Sequence, residues 1–145
     1  MKVLITGAKG QLGKEMVDLS SEYDFSVKAF DKKQLDITDK TKLQDILDEV
    51  EPKILVNAAA YTSVDNAENY KKRAYSVNHQ GPKNLAEACR ERSIFLIHIS
   101  TDYVFDGKKS GAYLEDDPVR PLGIYGRSKE AGEACLLYTS DAADE

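Results

Sequence analysis

The chain has no tryptophan, only two cysteines and four prolines among its 145 residues, and no apolar run of membrane-spanning length. Each scarcity excludes something. Cys89 and Cys135 are far apart and outside any C-x-x-C, so neither a disulfide framework nor a zinc knuckle is expected. That cysteine usage makes the cytoplasm the expected setting. A helical span needs about 20 consecutive apolar residues, and the apolar segments here are far shorter, so no membrane partner is expected. The start, Met1 to Gly7, lacks the charged region, longer apolar core and cleavage site of a signal peptide. A basic excess is also missing. Lys and Arg number 20 against 25 Asp and Glu, a net charge of −5, with the signs interspersed. Nucleic acid, which selects a basic face, is therefore not an expected partner. The length suits one ordinary domain with a real core.

What is present is an alternation of strand and helix patterns. Val3–Ile5, Ile54–Val56 and Ile94–Ile99 are short, β-rich and nearly continuous in apolar character, as strands covered on both faces require. Ser26–Phe30 is a weaker, alternating strand. Between them, Leu12, Met16 and Leu19 recur at helical spacing. So do Leu43, Ile46, Leu47 and Val50, with Asp39 as the expected cap and Pro52 beyond the end. Leu85, Ala86 and Cys89 mark a helix after Gly81-Pro82. The order predicts an α/β fold, a Rossmann-like doubly wound parallel sheet. Residues 102–121, with Gly107, Gly111, Pro118 and Pro121, are expected to form a loop at the strands' carboxyl ends, where such folds bind ligands.

Four motifs carry chemistry. Gly7-Ala8-Lys9-Gly10-Gln11-Leu12-Gly13 joins the first strand to the first helix. Glycines there let backbone N–H groups and a helix N-terminus approach a pyrophosphate. Asp31 ends the second strand, where a carboxylate can accept from ribose hydroxyls and favour NADH. Lys9, Lys32 and Lys33 lie near enough in sequence to favour the 2′-phosphate of NADPH instead, so the sequence leaves both cofactors open. Tyr125 and Lys129 are four residues apart, which puts them on one helix face. An ammonium near a phenol stabilises the phenolate and readies the hydroxyl to hand a proton to a carbonyl as hydride arrives. Ser100-Thr101-Asp102 closes the last apolar strand, where hydroxyls can orient a substrate carbonyl. Other tempting residues receive structural roles. His98 is expected as a satisfied core histidine, Asn57 and Asn78 as backbone ties, Cys89 as packing, and Lys71-Lys72-Arg73 as a solvated helix face.

This set resembles the extended branch of the short-chain dehydrogenase/reductases, which acts on nucleotide sugars. Leu35–Asp39, Asn57–Thr62 with Val64-Asp65, and above all Ser100-Thr101-Asp102-Tyr103-Val104-Phe105-Asp106-Gly107 are similar to the dTDP-4-dehydrorhamnose reductase family. The resemblance implies that Gly7, Gly10 and Gly13 hold the pyrophosphate, with Gln11 and Leu12 beside it. It implies that Asp36 and Ile37 flank the adenine and that Ala58, Ala59 and Ala60 line the cofactor trough. Thr101, Tyr125 and Lys129 would be catalytic. Thr101 would bind the keto oxygen, Tyr125 donate the proton, and Lys129 hold the ribose and tune Tyr125. Asp102 and Tyr103 would face the sugar. Hydride would pass to C4 of dTDP-4-dehydro-L-rhamnose, a nucleotide sugar destined for cell-surface polysaccharide. Some members place Mg²⁺ at a homodimer interface through a glutamate that matches Glu15. The other ligands fall beyond residue 145, so no metal is expected from this chain's own residues. The regulatory subunit of methionine adenosyltransferase resembles the same family and offers a non-catalytic alternative. A nucleotide-sugar 4-epimerase is a further one. A 4,6-dehydratase is disfavoured because Asp102 is followed by Tyr103 where those enzymes carry a second acid.

The resemblance covers residues 1 to about 133, and members are roughly twice this length. The expectation is an incomplete NAD(P)-binding domain over 1–133, without the substrate domain and inactive by itself. The strand from Ile94 would then be a sheet edge. Residues 134–145 look unlike the family and like translated adapter read-through. They hold Asp141, Asp144 and Glu145, three of the five net negative charges.

Overall fold

The computed structural model describes residues 1–141. Four parallel strands, β1 (Lys2–Thr6), β2 (Ser26–Phe30), β3 (Ile54–Asn57) and β4 (Phe95–His98), form one sheet in the order β2-β1-β3-β4. Helices α1 (Gln11–Ser20) and α2 (Lys40–Val50) follow β1 and β2. After β3 come α3 (Val64–Asn69), α4 (Lys71–Tyr75), a π-helical turn (Ser76–Gln80) and α5 (Gly81–Glu91). A 3₁₀ turn at Asp102–Val104 and the long helix α6 (Ile124–Asp141) complete the chain. The strand order reverses between β1 and β3, and ligands of open α/β sheets bind at that switch point.

Strand alternation sorts the core into two layers. Leu4 and Leu55 pack with Leu43, Leu47, Leu85 and Cys89 of α2 and α5. On the opposite face Val3, Ile5 and Val56 meet Met16 and Val17 of α1. α2 forms as its pattern demands. Asp39 accepts from the Lys42 N–H at 3.0 Å, Leu43, Leu47 and Val50 are buried, and Glu51 ends the helix with φ 48° ahead of Pro52. Burial drives the Cys89 thiol pKa up to about 12, which fits packing and not reactivity.

Two expectations need correction. β4 is covered on one face only: Phe95 is 66% exposed and Ile97 39%. It lies at the sheet edge, and α1 reaches only as far as β1–β3. The α1 stripe is also rotated from the expected one. Leu12 and Leu19 are exposed, while Met16 and Val17 face the sheet and Gly13 is buried against the Gly7 turn. α6 runs without a break across the boundary between 133 and 134. Residues 142–145 of the segment singled out from sequence lie outside the described residues.

Candidate dinucleotide cleft

The cleft opens at the carboxyl ends of β1 and β3. Gly7 turns the chain at φ +69°, and a Cβ there would fall within 2.7 Å of the Ala58 and Ala59 backbone. The Gly10 N–H returns to the Gly7 carbonyl at 2.9 Å, and Ala8 N–H donates to Phe30 O at 3.1 Å, which fastens the loop to β2. α1 begins at Gly10 with no side-chain cap. Its first-turn N–H groups therefore have the arrangement helix N-termini use for phosphate. Gly13 lies beneath the loop, where a Cβ would meet Gly7 O at 2.3 Å. It packs α1 against the turn and does not line the cleft.

Gly7, Gly10, Gln11 and Leu12 form one wall of this cleft of about 880 Å³. Asp36 and Ile37 line it from the loop after β2, and Ala58, Ala59 and Ala60 from the end of β3. Tyr125 and Lys129 close it from α6. Of the other residues singled out from sequence, Asp31, Thr101, Asp102 and Tyr103 do not line it. Asp31 is turned inward. Its Oδ1 accepts from Lys33 N–H at 2.8 Å and Gln34 N–H at 3.0 Å, and Oδ2 pairs with Lys9. The Lys9 ammonium, then the Gln34 amide, hold its carboxyl below the usual range. Burial opposes ionisation of Asp36, but hydrogen bonds from the Thr38 amide and hydroxyl outweigh it and keep its pKa low.

A polar row lies under the floor. Thr6 donates to Asn57 Oδ1 at 2.6 Å, and the same oxygen accepts from the Ala59 N–H. The Ala59 amide can only donate, so the Asn57 oxygen faces it and its NH₂ faces His98 Nδ1, 2.9 Å away. The His98 proton is then on Nε2, which is buried and has no hydrogen-bond partner among the described residues. The expectation of a satisfied core histidine holds at one ring nitrogen and fails at the other. Burial and the Lys129 charge bring its pKa down to about 4. Asn57 and Asn78 do tie backbone. Asn78 accepts from Tyr61 N–H at 2.7 Å, donates to Tyr61 O at 3.0 Å, and donates to Ser128 Oγ between Tyr125 and Lys129.

α6 is seated by close approaches. A Cβ at Gly126 or Gly132 would meet the Tyr103 or Asn78 carbonyl at 2.2 Å. Glu68 accepts the Ile124 N–H at 2.7 Å. This seating buries Lys129, whose Nζ donates to Ile99 O at 2.6 Å. Burial lowers its pKa to about 8, with Glu133 opposing the shift. Tyr103 meets Tyr125 edge to face at 5.4 Å. Thr101 caps the 3₁₀ turn by accepting from Tyr103 N–H at 3.2 Å, and Ser100, which lines the cleft, donates to Glu133.

Arg73 and Tyr61 also line the cleft and were missed as site residues. The Arg73 guanidinium lies 5.8 Å from the Tyr61 ring centroid. The only sequence signal was an arginine ending the Lys71-Lys72-Arg73 run. A second concavity of about 830 Å³, lined by Lys2, Asp48 and Arg92, sits at the strands' amino ends, away from the switch point. Glu15 borders the dinucleotide cleft, but among the described residues no group of three or more His, Cys, Asp or Glu side chains forms. The residues present therefore do not fit a Mg²⁺ site.

The RmlD substrate binding domain family matches residues 1–143. The chain belongs to this family. It is 49% identical over 140 residues to a dTDP-4-dehydrorhamnose reductase of Aggregatibacter actinomycetemcomitans, covering 96% of this chain and 48% of that protein. A crystal structure of dTDP-4-dehydrorhamnose reductase from Bacillus anthracis in complex with NADP superposes with a TM-score of 0.92 at 41% identity, over 95% of this chain and 49% of that one. The Thermus thermophilus UDP-glucose 4-epimerase complex with NAD superposes with a TM-score of 0.90 at 26% identity, over 98% and 51%. The chain thus spans about half the length of the curated relatives it matches. No helix among the described residues is long and apolar enough to cross a membrane.

Proposed function

We propose that this chain supplies the cofactor site and the proton-transfer residues of a nicotinamide-dependent nucleotide-sugar reductase. The proposed reaction reduces the C4 keto group of dTDP-4-dehydro-L-rhamnose to dTDP-L-rhamnose, in the cytoplasm. The observation that carries this reading is the convergence of the glycine turn, Ala58–Ala60, Tyr125 and Lys129 on one cleft. The missing Cβ at Gly7, the small side chains of Ala58–Ala60 and the uncapped start of α1 suit a dinucleotide, NADPH or NADH. Bound there, the reduced nicotinamide supplies the hydride.

The chain's own residues do the rest. The Tyr125 hydroxyl hands a proton to the keto oxygen as the C4–O bond becomes an alcohol. Lys129, held by the Ile99 carbonyl, keeps an ammonium near Tyr125 and the ribose, and its remaining N–H groups can bond the ribose hydroxyls. Thr101, Asp102 and Tyr103 do not line the cleft, and their roles in orienting the keto oxygen and meeting the sugar rest on the resemblance of the Ser100–Gly107 segment to the family. Asn78 and Ser128 fix the helix turn that carries the pair. The reading is tested by following reduced-nicotinamide absorbance in the full-length protein with dTDP-4-dehydro-L-rhamnose and identifying the product by NMR. Formation of dTDP-L-rhamnose with matched cofactor oxidation is expected. Oxidation of no cofactor with any dTDP-4-keto sugar would overturn it.

A further inference from the structure

We propose that Glu133 is a positioning residue for Lys129: its bond to Ser100 ties α6 to the end of β4, and from that anchor its carboxylate holds the Lys129 side chain in the cleft as an ammonium. The consequence for catalysis rests on the reading of Tyr125 and Lys129 as the proton-transfer pair.

Two successive residues just past β4 receive two successive turns of α6. The Ile99 carbonyl accepts from Lys129 Nζ at 2.6 Å, and the Ser100 hydroxyl donates to Glu133 Oε1. Lys129 and Glu133 are four residues apart on α6, so they share a helix face. The Ile99 N–H donates to Asn57 O at 3.2 Å, which fixes the strand end that presents the carbonyl. Gly132, beside Glu133, lies so close to Asn78 that a Cβ would meet its carbonyl oxygen at 2.2 Å. The clasp therefore closes on backbone held from both sides.

A buried ammonium needs an opposite charge to stay charged. Lys129 is 2% exposed, and burial pulls its pKa down while Glu133 acts against that shift. Glu133 acts through space, because its Oε1 is spent on Ser100 and Nζ bonds the Ile99 carbonyl. A carboxylate in direct contact with Nζ would consume the N–H donors that a bound ribose needs. One anchored on Ser100 leaves them available. The other groups around α6 are placed differently. His98 of β4 is neutral above about pH 4 and supplies no charge. Glu68 of α3 takes the Ile124 N–H, and Arg73 of α4 lies over Tyr61. His79 of the π-helical turn meets Tyr75, and Lys83 and Glu87 of α5 act on Cys135. Asp102 of the 3₁₀ turn accepts from Thr101. Glu130 adjoins Lys129 in sequence and so lies off its face.

The test is Glu133→Gln in the full-length protein. Gln keeps an oxygen to accept from Ser100 and removes the charge. The Lys129 titration is read from its ¹³Cε NMR resonance in lysine-labelled protein, assigned by its loss in Lys129→Met. The midpoint should fall by about half a pH unit in Glu133→Gln. Glu133→Asp keeps the charge on a shorter arm and should move the midpoint the same way by less. This second variant decides the matter where Glu133→Gln does not fold. The kcat deficit of Glu133→Gln against wild type should deepen by about two- to threefold from pH 6.5 to pH 8.5, as the ammonium is lost. A merely structural role would lower kcat equally at both. A Lys129 midpoint unmoved in both variants would overturn the assignment and leave the reductase reading standing. Absence of wild-type turnover with any dTDP-4-keto sugar would overturn that reading and the catalytic consequence with it, while a midpoint that still moved would uphold the hold of Glu133 on Lys129.

Discussion

The ammonium of Lys129 is buried and donates to the backbone carbonyl of Ile99 at 2.6 Å. Burial lowers its pKa to about 8 from the ordinary 10.5. Below pH 8 both folded and unfolded chains carry the proton, and the folded state bears the full cost of a buried charge. Between pH 8 and 10.5 the folded chain has released the proton and the unfolded chain has not, so stability rises with pH. The wild type should gain up to about 1.4 kcal/mol per pH unit across that window relative to Lys129→Met. Urea midpoints measured against pH read this difference. The Ile99 carbonyl loses its donor in the variant, so the slope is the readout and not the absolute stability. Parallel curves would show that Lys129 titrates normally.

His98 gives the acid-side counterpart. Its pKa falls to about 4 through burial and then the Lys129 charge. The unfolded chain takes up a proton near pH 6.5 and the folded chain does not until about pH 4, so stability falls as pH drops through that range. His98→Gln should flatten the wild-type loss between pH 6.5 and 4. A variant that loses stability just as steeply would contradict the placement of His98.

Gly7→Ala should be costly at one atom. The φ of +69° disfavours a side chain, and the added carbon would press on Ala58 and Ala59. Strain of this kind costs about 1–3 kcal/mol, and the floor of the cleft must shift. Loss of stability in urea together with weakened dinucleotide binding is expected. Wild-type values for both would show that the turn is not tight.

Much of this was legible in the residues themselves. The Asp39 cap, the α2 stripe and the glycine turn are local signals, set by backbone chemistry within a few positions. The exposure of Phe95 and Ile97 was not legible, because an apolar run says only that it can be buried. Which neighbours arrive is decided by the sheet order. Leu12 misled for a related reason: helical spacing marks a stripe, but the cleft beside α1 decides which part of it is covered. The roles of Asp31 and Arg73 depend on partners in other elements, Lys9 and Tyr61, which no spacing along the chain encodes. The spacing of Tyr125 and Lys129 did carry over, because both sit on one helix and the cleft receives both.

The most direct measurement is kcat for the full-length protein and its Tyr125→Phe variant with dTDP-4-dehydro-L-rhamnose and reduced nicotinamide cofactor, alongside cofactor Kd. Removing a general acid should lower kcat by about 10²–10⁴-fold with Kd unchanged, since the phenyl ring keeps the edge contact with Tyr103. An unchanged kcat would mean that another group delivers the proton and would contradict the account.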